Sequence, residues 1–122
     1  MKSKRVYHDY LRDIIDHAEK AMRFVHGLTF DDFGDNEEKI FAVVRALEVI
    51  GEAARHIPKA WRDKYPRVPW KQVVGMRDKI THEYFAVDLE VVWKTLHEDL
   101  PLLHETATAM LKDLAREEQS SK

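Results

Sequence analysis

Residues 37–58, EEKIFAVVRALEVIGEAARHIP, decide the fold. Ile40, Val43, Val44, Leu47, Ile50, Ala54 and Ile57 recur at three- and four-residue spacing and so form one apolar stripe along a helix. Asp35 or Asn36 can cap its start. Glu37 and Glu38 fall in the first turn, where the helix dipole favours acids, and Pro58 ends the pattern. Gly51 sits beside the stripe, where a missing side chain lets another helix come close.

The same period appears on both sides of this segment. Upstream, Leu11, Ile14, Ile15, Ala18, Met22 and Val25 share a face, and Gly27 offers a stop. Between the two helices, Leu28 to Asn36 is rich in Asp and Gly and is expected to be a loop. Downstream, residues 58–69 hold three prolines and predict an irregular or one-turn helical connector. A third long helix is expected from about Pro69 to Tyr84, followed by a tight turn over Phe85–Asp88. Asp88 can cap the last helix, whose stripe is Leu89, Val92, Leu96, Leu100, Leu103, Ala107, Met110 and Leu114. Pro101 lies inside that stripe and predicts a kink or a split, and the polar tail from Glu117 predicts fraying. Nothing alternates with period two. The expectation is an all-α antiparallel bundle of four long helices plus a short connector helix, with one domain over 1–116 and a polar tail over 117–122.

A chain of 122 residues suits a single core. Cysteine is absent, which removes disulfides and thiolate metal sites and suits a reducing compartment. No apolar run approaches the roughly 20 residues that span a bilayer, and the basic N-terminus lacks the apolar stretch of a secretory signal. The expected location is cytoplasmic. The formal charge of −2 makes no global case for nucleic acid, but its distribution is uneven. Arg55, Lys59, Arg62, Lys64, Arg67, Lys71, Arg77 and Lys79 face only Asp63 and Asp78, so this segment carries +6 and the remainder −8. Either these are solvated charges or they mark an anion-binding face.

On the third helix Trp70, Val73, Arg77, Ile80 and Tyr84 follow a 3-4-3-4 spacing and share one face. Arg77 interrupts an otherwise apolar or aromatic stripe, and an unpartnered buried guanidinium costs several kcal/mol. A salt bridge to Glu48 or Glu52, or a side chain reaching out to solvent, would account for it. His82 lies five residues on, Tyr84 returns almost onto the stripe, and Asp78 is four residues before His82, placed to orient an imidazole. A cation, an imidazole and a phenol near one helix end suit an anionic substrate. Gly75, mid-helix, costs about 1 kcal/mol against alanine and is expected to permit close approach.

Arg77-Asp78-Lys79-Ile80-Thr81-His82-Glu83-Tyr84 resembles the R-x4-H-x-Y motif of the HEPN superfamily. With residues 46–54, 70–76 and 87–89, most of the chain is similar to the HepT-like ribonuclease toxins of toxin–antitoxin pairs. The resemblance implies a HEPN-like fold and a metal-independent endoribonuclease with no cofactor. It also implies a homodimer whose two motifs face one cleft. Arg77 and His82 would be catalytic, with Asp78 standing where relatives often carry Asn and supporting His82. Lys71 and Lys79 would hold RNA. The resemblance further implies a nucleotidyltransferase antitoxin of the MntA type that adenylylates Tyr84; otherwise Tyr84 is an aromatic packing residue.

Elementary chemistry leads the same way. Metal-free RNA cleavage needs a base for the 2′-hydroxyl, an acid for the leaving oxygen and positive charge on the phosphate. Histidine serves either proton role near neutrality, and a symmetric dimer would bring two. The alternative is a HEPN-like module that partners a nucleotidyltransferase and holds nucleotide or RNA on the basic segment without cutting. Other chemistries lack their residues. His82-Glu83, His97-Glu98 and His104-Glu105 have no second histidine three residues on, and no Glu-x-x-His occurs. His97 and His104, seven residues apart, are expected to be helix-surface residues rather than ligands.

Overall fold

The structure, a computed structural model, describes residues 4–120 except 83–87, with residues 4, 5, 77–82, 118 and 120 described in their backbone only. The described chain is helical, without a strand. Its elements are α1 (Lys4–Phe24), α2 (Phe30–Gly34), α3 (Glu37–Arg55), α4 (Lys59–Arg62), α5 (Trp70–His82), α6 (Leu89–Lys94), a π-helical turn (Thr95–Asp99) and α7 (Leu100–Ser120). The deciding stripe lies on α3. Asn36 caps it by accepting from the Lys39 amide at 3.1 Å, and Pro58 begins the next turn in an extended conformation.

α1 packs along both α3 and α7, and α3 packs along α5. The core between them is apolar throughout: Leu11, Ile14 and Ala18 of α1 meet Val43, Leu47 and Ile50 of α3 and Leu100, Leu103 and Ala107 of α7. No polar or charged residue is buried among those whose side chains are described. This burial is the main favourable term, each fully buried Leu or Ile contributing about 1.5–3 kcal/mol. Gly27, at φ +79°, takes the left-handed turn that ends the first helical segment.

One expectation needs correction. The segment 28–36 is not a plain loop: Thr29 and Asp32 form a reciprocal capping box with both bonds at 3.1 Å, which starts the one-turn helix α2. That turn drives Phe33 to complete burial, and the gain from one aromatic outweighs the Asp- and Gly-rich composition. α7 continues through Glu117 to Ser120. With α6 ending at Lys94 and α7 beginning at Leu100, the last stripe is divided, as expected, just before Pro101. The backbone widens into the π turn just before it, which accommodates a ring without an amide while Leu96, Leu100 and Leu103 stay buried. The expected turn over Phe85–Asp88 falls mainly outside the described residues; Asp88 itself caps α6 by accepting from the Glu90 and Val91 amides at 3.0 and 3.3 Å.

Candidate functional site

Helix α5 carries the motif, and its first turn is anchored on both sides. Trp70 and Val73 are buried, and the Trp70 indole donates to the Tyr65 carbonyl at 3.0 Å. The Tyr65 hydroxyl in turn donates to Asp113 Oδ2 on α7. Burial first, then this hydrogen bond and the neighbouring carboxylate charges, push the Tyr65 hydroxyl up to about 12. Trp61 meets Tyr7 edge-on with ring centres 4.8 Å apart, and the Arg62 Nε donates to the Ile57 carbonyl at 3.1 Å. The connector's aromatics are therefore tethers that hold α5 in place.

The backbone of Arg77, Asp78, Lys79 and His82 lies within α5, their side chains being outside the description, and Tyr84 lies outside the described residues. One consequence follows from backbone position alone. Positions 71, 75, 78 and 82 are spaced four, three and four apart. They fall within about 60° of arc, so His82 shares a stripe with Asp78, Gly75 and Lys71. Arg77 occupies the other stripe, with Trp70 and Val73. Lys71 and Gln72 are exposed, and a Cβ built on Gly75 would meet nothing within 4 Å, so no described residue makes the close approach expected at Gly75.

The structure also sorts the basic segment. Arg55 pairs with Glu52 at 2.8 Å, Lys59 with Asp63 at 3.0 Å, and Arg62 is spent on a carbonyl. Lys64, Arg67 and Lys71 are exposed and make no ion pair with any described residue. Glu48 pairs with Arg45 at 3.6 Å, and Glu52 also meets His56 at 3.2 Å, whose ring stacks on Tyr10 with centres 4.8 Å apart.

Between α5 and the α6–π segment runs a groove of about 740 Å³, lined by Lys71, Gln72, Gly75, Met76, Val91, Lys94, Thr95 and Glu98, with Val73 and Asp99 deeper in. Val91 is 38% exposed there, one of two large apolar residues so exposed among those described. Burial, and then the Glu98 charge, raise the Asp99 carboxyl above its ordinary range. Sequence reasoning missed the groove wall on α6, although the 71–75–78–82 spacing was there to be read. Nothing in the sequence pairs Tyr65 with Asp113, 48 residues away. No His/Asp/Glu cluster able to hold a metal occurs among the described residues. His104 pairs with Glu19 at 2.8 Å, and His97 lies against Trp93 on the surface, in line with surface roles for both.

An all-helical domain with the arginine and histidine of R-x4-H-x-Y on a firmly seated helix defines a HEPN-type protein. The sequence profile described as Ribonuclease HepT-like matches residues 14–110. A probable ribonuclease HepT from Thermococcus cleftensis is 45% identical over 100 residues, covering 82% of this chain and 91% of that one. A candidate RNase from Methanocaldococcus jannaschii is 38% identical over 118 residues, covering 97% and 98%. Another, from Caldanaerobacter subterraneus subsp. tengcongensis, is 40% identical over 103 residues, covering 84% and 92%. No solved structure matches. The chain belongs to the HepT-like ribonuclease family, and its enzyme class is ribonuclease. No described helix is long and apolar enough to cross a membrane.

Proposed function

We propose that this protein is a metal-independent endoribonuclease, the toxin of a toxin–antitoxin pair, acting as a homodimer. The observation that carries the reading is the motif Arg77-x4-His82-x-Tyr84, its arginine and histidine on an anchored helix, in a chain of this family. Arg77 would hold the scissile phosphate and neutralise charge that grows in the transition state. His82 of one protomer would take the 2′-hydroxyl proton as O2′ attacks phosphorus. His82 of the other would protonate the 5′ oxygen as the P–O5′ bond breaks, leaving a 2′,3′-cyclic phosphate. Asp78, one helical turn before His82, would orient the imidazole. Lys71 and Lys79 would hold RNA alongside.

Tyr84 would be the residue that a nucleotidyltransferase antitoxin adenylylates. Added phosphate and adenine would crowd the cleft and repel RNA. Equal modification of Tyr84→Phe and wild type would place that modification elsewhere.

The first test incubates wild type, Arg77→Ala and His82→Ala with end-labelled RNA in EDTA. Cleavage by wild type alone, with cyclic phosphate ends, is expected. Undiminished cleavage by both variants would remove Arg77 and His82 from the mechanism. Exposed Lys64, Arg67 and Lys71, without ion-pair partners among the described residues, favour a second reading, a module that binds RNA without cutting it. RNA bound by wild type but cut under no condition would select that reading.

A further inference from the structure

Gly75 sits mid-helix, where glycine is costly against alanine, yet no described residue occupies the space its missing side chain leaves. Packing between described residues therefore does not require it. The glycine forms the floor of the groove between α5 and α6, whose volume of about 740 Å³ is within the range of small-molecule sites. Lys71 lies at one side, exposed and without an ion-pair partner among the described residues. Exposed Val91 and half-buried Met76 give the floor apolar edges. The far wall is acidic: Glu98 lies 3.8 Å from Lys94, with Asp99 beside it. Along α5, the stripe from this floor reaches the His82 position after seven residues, about 10 Å of helix rise.

We infer that the groove is a subsite for a nucleotide flanking the scissile phosphate of RNA, and the inference rests on the ribonuclease reading above. The charges set the nucleotide's orientation. Its phosphate lies on the Lys71 side, because the Glu98–Asp99 end repels anions. Its base lies flat over the bare Gly75 backbone between Met76 and Val91. The base edge then faces Glu98, which accepts hydrogen bonds but cannot donate them when ionised. The exocyclic amino groups of adenine, cytosine and guanine donate to that acceptor, whereas uracil offers only an N3–H set between two carbonyl oxygens that the carboxylate repels.

The test fills the groove from either side. Gly75→Leu adds a good helix former whose Cβ meets no described residue, and Val91→Trp fills from the opposite wall. Wild type and both variants are assayed on a dinucleotide and on RNAs extended on each side of the cut, with circular dichroism and sedimentation to verify folding and assembly. Wild type is expected to favour extended RNA by kcat/KM, and to favour an amino-bearing base over uracil at one flanking position. In each folded variant that advantage is expected to fall about tenfold, roughly the worth of one stacked base. Unchanged preference in a folded variant overturns the subsite. So does a change of oligomeric state in Gly75→Leu, which would give the groove to a second copy of the chain. Wild type that cuts no RNA at all overturns the ribonuclease reading, and the subsite with it.

Discussion

Tyr65 shows how a single residue ties the site to the rest of the protein. Its carbonyl receives the Trp70 indole at the start of α5, and its hydroxyl donates to Asp113 on α7. Replacing it by phenylalanine keeps the ring and removes a part-buried hydrogen bond, which is expected to cost about 1 kcal/mol at pH 7. The raised hydroxyl adds a pH signature. Below pH 10 the hydroxyl is protonated in both the folded and the unfolded chain, and its contribution is fully present. As pH rises from 10 toward about 12 the unfolded chain loses its proton first, so that contribution is lost. Denaturant unfolding of wild type and Tyr65→Phe should therefore show a wild-type advantage that shrinks across this window. An advantage that stays constant with pH would mean the hydroxyl is not held as described. At this scale the motif was legible, since Arg77 interrupts a stripe and His82 follows it at fixed spacing. The Tyr65–Asp113 bond was not, because a contact 48 residues apart leaves no local periodicity.

Among the elements, α3 and α5 make opposite predictions. The Asn36 cap on α3 satisfies an otherwise free amide, and Asn36→Ala should lower stability by about 1 kcal/mol. Gly75 on α5 has an open surround and no positive φ, so Gly75→Ala should raise stability by about 1 kcal/mol. Thermal unfolding of the two variants reads both signs, a shift of about 4 °C each way. Destabilisation by Gly75→Ala would mean that α5 is more closely covered than described. α2 depends on one aromatic, and Phe33→Ala should cost about 3–5 kcal/mol by denaturant unfolding. Long stripes announced α1, α3 and α7 because each repeats its apolar position over several turns. α2 has only one turn in which to repeat, so its capping box, Thr29 with Asp32, was the sole readable sign.

For the whole molecule, the proposed cleft needs two copies of the motif. Wild type and His82→Ala refolded together in equal amounts should keep about a quarter of the cleavage of the same total amount of wild type, because a mixed dimer has one histidine for two proton transfers. Cleavage at about half that level would mean that each motif works within its own protomer. Lys64 and Arg67 lie on a connector held by Tyr65, Trp61 and Arg62, and Lys71 follows in the first turn of α5, so their charges are displayed from a fixed surface. Affinity for RNA should fall steeply with salt, and Lys64→Ala with Arg67→Ala should flatten that slope by about 1.4, two single-strand phosphate contacts. A slope unchanged in the double variant would show that RNA does not pass over the connector.

The sequence by itself determined the helices, the apolar faces they bury and the position of the motif on one of them. Each of these is written in spacings of three and four that the helix imposes locally. Only the tertiary structure decided which basic residues are spent on protein partners, that a bare glycine opens a groove facing α6, and that a tyrosine in a proline-rich connector reaches α7. Those outcomes depend on which side chains meet across distant segments, and packing settles that only once the helices are assembled.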